Sequence, residues 1–225
     1  MRYGVLTAAV LLAATTVQAA EPALPQTARV TTSHSGGFQR AEKAEKAASA
    51  SDVIKGFYGK LQSVMQNGTK LGFQGRYDAL KPAVERAFDL PVMTRFASGS
   101  GWYKAAPEQQ AKLVRAFGEF SVATYASRFK AFNDEKFIVM GEKPATGGGV
   151  LVETQLVPFG DPPVSLNYLM RRDASGQWRI NDVYLAATIS EMATRRSEFN
   201  AVIKSDGFDA LIDNISLKTK SLHSS

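Results

Sequence analysis

The chain has 225 residues, no cysteine and only two histidines, His34 and His223. The missing thiols exclude disulfides, thiolate metal sites and a cysteine nucleophile. Both histidines fall in segments that read as tails, which argues against a Ser-His-Asp triad or an imidazole metal centre. A glycine-rich phosphate loop is missing too. Gly147-Gly148-Gly149 stands between strand-like segments and reads as a hairpin turn. Past the first twenty residues, no run is apolar over the roughly 20 residues that a bilayer span needs.

What is present begins with MRYGVLTAAVLLAATTVQAA. Arg2 supplies a positive n-region, Val5 to Val17 an apolar core shorter than a bilayer span, and Val17-Gln18-Ala19 a small-x-small cleavage site. Residues 1–19 are therefore expected to be a secretory signal peptide. Residues 20–45, polar and without periodicity, read as a flexible leader. A single domain is expected over 46–220, with a tail over 221–225. Lys and Arg number 27 against 21 Asp and Glu, a formal charge of +6. An exported chain rarely meets nucleic acid, so that charge suits anionic lipid head groups, or solubility alone.

Helical periodicity predicts helices over about 44–66, 77–88, 89–96 and from Pro107 through Tyr125, the last continued by Phe129 and Phe132. Asn67-Gly68 reads as a left-handed stop to the first helix, and Pro82 as a first-turn residue of the second. After Asn133-Asp134 the period changes from 3.6 to 2. Strands are expected over 137–140, 150–157, 164–171 and 178–185, joined by turn-forming separators, then helices over 189–204 and 208–217. Short connections favour an antiparallel meander. Helices, then sheet, then helices imply an α+β fold: a helical layer on a curved, mainly antiparallel four-stranded sheet of cone-shaped, NTF2-like type. Its apolar interior can pack solid or enclose a cavity.

Few residues offer chemistry. Asp182 and Tyr184, expected to share the apolar face of the last strand with Trp178 and Ile180, could serve proton abstraction. Alternatively, Asp182 caps a bulge or pairs with an arginine such as Arg179. Basic clusters at Arg128/Lys130, Arg171-Arg172 and Arg195-Arg196 read as solvated charge by default. Arg195 and Arg196 also suit head-group or partner contact. Residue physics alone reaches an exported α+β domain and stops there.

Several segments carry a resemblance: Phe88-Asp89, Met93, Gly101-Trp102, Pro107-Glu108-Gln109, Phe117 and Tyr125-Ala126 in order, then Trp178-Arg179-Ile180-Asn181-Asp182-Val183, Arg196-Ser197-Glu198-Phe199 and Gly207-Phe208-Asp209-Ala210-Leu211-Ile212. Across about 50–215 this pattern resembles the MlaC family of periplasmic lipid-binding proteins, the toluene-tolerance auxiliary components. Two departures stand out: Ala106 replaces the usual Ser or Thr helix cap, and Ala186-Ala187-Thr188-Ile189 lacks the common glycine. The long leader and doubled Arg195-Arg196 resemble the hopanoid-associated branch.

The resemblance implies a non-enzymatic periplasmic shuttle without a cofactor. It would carry a phospholipid or a hopanoid between an inner-membrane lipid transporter and an outer-membrane complex, touching membranes only transiently. Phe96, Trp102, Phe117, Phe120, Val152, Leu166, Tyr168, Met170, Ile180 and Tyr184 are then expected to line its cavity, and Arg195 and Arg196 its mouth. An enzyme using Asp182 or Tyr184 and a ligand-free envelope adaptor are the competing readings.

Overall fold

A computed structural model describes residues 48–223. The expected signal peptide, the leader and His34 lie outside the described residues. Helix α1 (Ala50–Gln66) starts where Ser49, in extended conformation, closes a capping box. The Ser49 side chain accepts from the Asp52 amide at 3.1 Å, and the Asp52 carboxylate accepts from the Ser49 amide at 3.0 Å. The helix thus begins later than the periodicity suggested. It buries Ile54, Phe57, Tyr58, Leu61, Val64 and Met65 along one face.

Asn67 ends α1 without turning left-handed, at φ −107°. The positive φ comes five residues later, at Gly72 (φ 61°), which kinks α2 (Gly68–Ala87) near its start. Pro82 therefore lies inside α2 rather than in its first turn. It faces solvent, where water can satisfy the carbonyl it orphans. Asp89 caps α3 (Leu90–Ser98), a single 3₁₀ stretch covers Gly99–Lys104, and α4 spans Pro107–Arg128. Ala106 has no side chain to cap α4. Only the return half of a capping box remains, its amide donating to Gln109 Oε1 at 3.0 Å.

The sheet has five strands, not four: β1 (Lys136–Ala145), β2 (Gly149–Val157), β3 (Val164–Arg172), β4 (Trp178–Leu185) and a two-residue β5 (Ile189–Ser190). They form an antiparallel meander in chain order. Helices α5 (Glu191–Asp206) and α6 (Phe208–His223) complete the chain. The last helix absorbs residues 221–223 of the expected tail, and the His223 ring packs 4.3 Å from that of Phe73.

Two bulges set which side chains face inward. In β1, Val139 pairs with Thr154 and Gly141 with Glu153, leaving Met140 extra. In β4, Ile180 pairs with Met170 and Asp182 with Leu169, leaving Asn181 extra. One inserted residue exchanges the faces of everything beyond it. Ile180 points into the core before the bulge. After it, Val183 opposite Tyr168 and Leu185 opposite Leu166 take the inner face, and the expected inward placement of Tyr184 is overturned.

At one end of the meander the core is closed. Val152, Met170 and Ile180 are fully buried in one cluster with Ile54, Leu80 and Val84. Here the helices are tied to the sheet by backbone: Phe88 bridges Ile180, and the Asp89 amide donates to the Ile180 carbonyl at 2.9 Å.

Candidate functional site

At the opposite end of the sheet, Phe137 at the start of β1, Leu166 near the start of β3 and Leu185 at the end of β4 face a void of about 140 Å³. Helix α4 roofs it with Phe117, Phe120 and Tyr125, and the first turn of α5 closes one side with Met192 and Arg195. Periodicity explains the roof: Phe117, Phe120, Ser121, Thr124, Tyr125 and Arg128 recur at spacings of three and four, so one helix face carries them all. Wide rings meeting at steep angles pack imperfectly. Phe117 lies edge-on to Phe199 at 6.1 Å, while Phe129, which follows α4, stacks on Tyr125 at 5.8 Å.

The inner wall has one polar cluster. The Tyr58 hydroxyl lies 2.6 Å from Thr154 Oγ1 and 3.1 Å from the Tyr168 hydroxyl. Thr154 Oγ1 also donates to the Leu166 carbonyl. The Tyr58 hydroxyl donates to the Tyr168 hydroxyl, so the three side chains form one connected polar cluster. Burial raises the Tyr58 and Tyr168 pKa values above the ordinary phenol value, so both stay neutral at physiological pH.

The mouth is charged. Arg195 lies between Glu191 (3.6 Å) and Glu198 (2.9 Å), with its guanidinium 5.2 Å from the Phe120 ring centre. Arg128, in the last turn of α4, is exposed beside it. Next to the mouth, Ala186 (φ 48°) and Ala187 (φ 64°) turn β4 into β5 in the left-handed conformation that favours glycine.

Asp182 has a structural post. Its carboxylate accepts from the Val183 amide (2.7 Å), the Met192 amide (3.0 Å) and the Ser190 hydroxyl (2.6 Å). Ser190 in turn caps α5 by accepting from the Ala193 amide at 2.9 Å. The carboxylate therefore fastens the α5 N-terminus, the positive end of that helix, to the bulge in β4. Arg179 pairs with Asp173 instead, at 2.8 Å.

Of the residues singled out from sequence, Phe117, Phe120, Leu166, Tyr168 and Arg195 lie on the cavity wall. Val152, Met170 and Ile180 sit in the closed core. Tyr184 and Trp102 are half-buried away from the void, the Trp102 carbonyl accepting from Gln110 Nε2 at 2.8 Å. Phe96 is 45% exposed, covered by the Arg196 guanidinium at 5.3 Å from its ring, so Arg196 serves the contact between α3 and α5 rather than the mouth. Among the wall residues that sequence reasoning missed are Tyr58, Tyr125, Phe137, Val183, Leu185 and Arg128. The bulge hid Val183 and Leu185, and Arg128 read as ordinary surface charge.

A second, wider groove of about 770 Å³ runs between α1, α2 and the hairpin joining β3 to β4. It is edged by Lys60, Arg86 and Arg172, with the Arg172 guanidinium 4.5 Å from the Trp178 ring. Among the described residues, no cluster of His, Asp or Glu suits a metal ion. No described helix is long and apolar enough to cross a membrane.

The fold is similar to that of a phospholipid-binding protein from Ralstonia solanacearum, solved in complex with a phospholipid. The TM-score is 0.68 at 21% identity, covering 78% of this chain and 99% of that one. Residues 56–216, which hold the cavity, the bulged sheet and nearly all of the C-terminal helices, match the MlaC protein family, and the chain belongs to that family.

Proposed function

We propose that this protein is a periplasmic lipid carrier, taking the acyl chains of a phospholipid into the cavity at the open end of its sheet. One observation carries the reading: an apolar void at one end of an otherwise solid core, with charge only at its mouth. The family membership and the phospholipid held by the Ralstonia protein of the same fold support it. Two-chain lipids expose ~30 methylenes, and at ~0.8 kcal/mol per CH₂ their transfer into water costs on the order of 20 kcal/mol. A carrier offsets that cost with dry apolar walls and needs no reacting group.

The void is comparable to an engineered cavity of roughly 150 Å³ that takes a benzene. Two acyl chains are far larger, so they must spread the wall. The open end suits that movement, because among the described residues no backbone hydrogen bond joins the sheet to α4 there, whereas the closed end has a backbone bond to Ile180.

Asp182 works as the fastener of α5 and not as a base, so the protein binds its cargo without converting it. Export through the N-terminal signal peptide, and exchange with inner- and outer-membrane lipid complexes, complete the proposal. The test is native mass spectrometry of the protein purified from the periplasm. A co-purifying phospholipid is expected. A hopanoid in its place would change the cargo, and protein free of any lipid would sink the carrier.

A further inference from the structure

Seven side chains on the cavity wall can donate hydrogen bonds: Tyr58, Ser121, Thr124, Tyr125, Arg128, Tyr168 and Arg195. Five are already engaged. The Tyr58 and Tyr168 hydroxyls are hydrogen-bonded to each other, and Tyr58 also to Thr154. Ser121 and Thr124 donate back along α4 to the Phe117 and Phe120 carbonyls, at 2.7 and 2.8 Å. Arg195 faces two carboxylates, Glu191 and Glu198, so an anion brought to it would meet net negative charge.

Two donors remain. Neither the Tyr125 hydroxyl nor the Arg128 guanidinium has a hydrogen bond or ion pair among the described residues, and they stand three apart on the same face of α4. Tyr125 is held by its ring, stacked on Phe129 and packed edge-on against Phe57 at 5.2 Å, so its hydroxyl position is set by packing. Arg128 is exposed at the mouth, where a head group would remain in water while the chains lie inside.

Resting on the carrier reading, we infer that Tyr125 and Arg128 form the anion-reading pair of this cavity, binding the phosphodiester of a lipid head group. Arg128 supplies charge and a forked donor, and Tyr125 adds one hydroxyl proton from inside the mouth. The pair discriminates by charge: a lipid with the same chains and no phosphate leaves the guanidinium unopposed. A purely structural Arg128, placed to complement the C-terminal end of α4, would not discriminate.

The experiment offers the full-length mature protein vesicles with equal amounts of phosphatidylglycerol and diacylglycerol of identical chains, and counts bound lipids by native mass spectrometry. Wild-type protein should favour phosphatidylglycerol by about 10-fold or more, the scale of one charge-assisted hydrogen bond. Arg128→Gln should bring the ratio close to one, and Tyr125→Phe should lower it by about 3-fold. Lys112→Gln removes the same charge from an exposed site near the other end of α4 and should leave the ratio unchanged. If Arg128→Gln does not fold, Arg128→Lys keeps the charge without the fork and should give an intermediate ratio.

An unchanged ratio in the Arg128 variants, or an equal fall in Lys112→Gln, overturns the pair. Equal loading of both lipids by wild-type protein does the same while leaving the carrier intact, whereas no loading at all removes the carrier itself. Inorganic phosphate alone, at millimolar concentration, should not raise the melting temperature. A rise that disappears in Arg128→Gln would assign the pair to free phosphate and overturn the head-group source.

Discussion

The two ends of the sheet draw on similar apolar residues and reach opposite outcomes. At the closed end, Val152, Met170 and Ile180 share a solid core with aliphatic side chains of α1 and α2, and the Asp89 amide pins β4 at Ile180. At the open end, Phe137, Leu166 and Leu185 face wide rings from α4 across a void, and among the described residues no backbone hydrogen bond joins these strands to α4. Apolar composition settles how much surface leaves water. Side-chain shape and backbone ties settle whether the space is filled.

That contrast can be broken by deletion. Met170→Ala at the closed end should cost about 2–5 kcal/mol by denaturant unfolding, because the collapsed neighbours cannot fill the cavity it leaves. Leu166→Ala enlarges an existing void and should cost less, under about 2 kcal/mol. Equal losses would mean that the two ends are packed alike.

The fastening of α5 beside the open end gives the next largest effect. Asp182→Ala strips the acceptor from the Val183 and Met192 amides and should destabilise by about 1–3 kcal/mol. Asp182→Asn keeps the shape and one acceptor, and its folded protein should still pick up lipid from vesicles. Loss of pickup in a folded, stable Asn variant would give the carboxylate a part in cargo handling.

The phenols of the open end make a pH prediction. Burial raises the pKa values of Tyr58, Tyr125 and Tyr168. In the unfolded chain they ionise near pH 10, before they do in the native protein, so the unfolded state binds fewer protons there. Their contribution is complete below about pH 10 and falls as pH rises through the native pKa values. Urea midpoints should therefore drop above about pH 10, less steeply in Tyr168→Phe. Equal slopes in the two proteins would contradict neutral burial of Tyr168. The smallest effect lies in the turn between β4 and β5. Ala187→Gly relieves a left-handed alanine and should raise stability by about 0.5–1 kcal/mol, without touching the closed end.

Much of the fold was legible because its signals are local. The period changes at Asn133-Asp134, turn residues separate the strands, and Pro107-Glu108 opens α4. Other features depend on tertiary contacts. Asn181 is an ordinary strand residue until pairing with β3 makes it a bulge, and that one insertion moved the inner face from Tyr184 to Val183 and Leu185. Pairing also made a strand of Ile189 and Ser190, too short for any periodicity to mark. The cavity wall was legible where α4 repeats its aromatics. It was illegible at Tyr58, whose partner Thr154 lies 96 residues away. Arg128 shows the same limit, since a charge beside an apolar mouth reads like any surface charge until the surroundings are placed.

Space at the open end is the central claim, and filling it is the most direct test. Leu166→Trp should abolish lipid co-purification, read by native mass spectrometry, while changing unfolding stability by less than about 1 kcal/mol, because the added ring enters a void. In a packed core the same substitution would cost about 1–3 kcal/mol through overpacking. A variant that loses that much stability yet still carries lipid would contradict the cavity as the lipid's place.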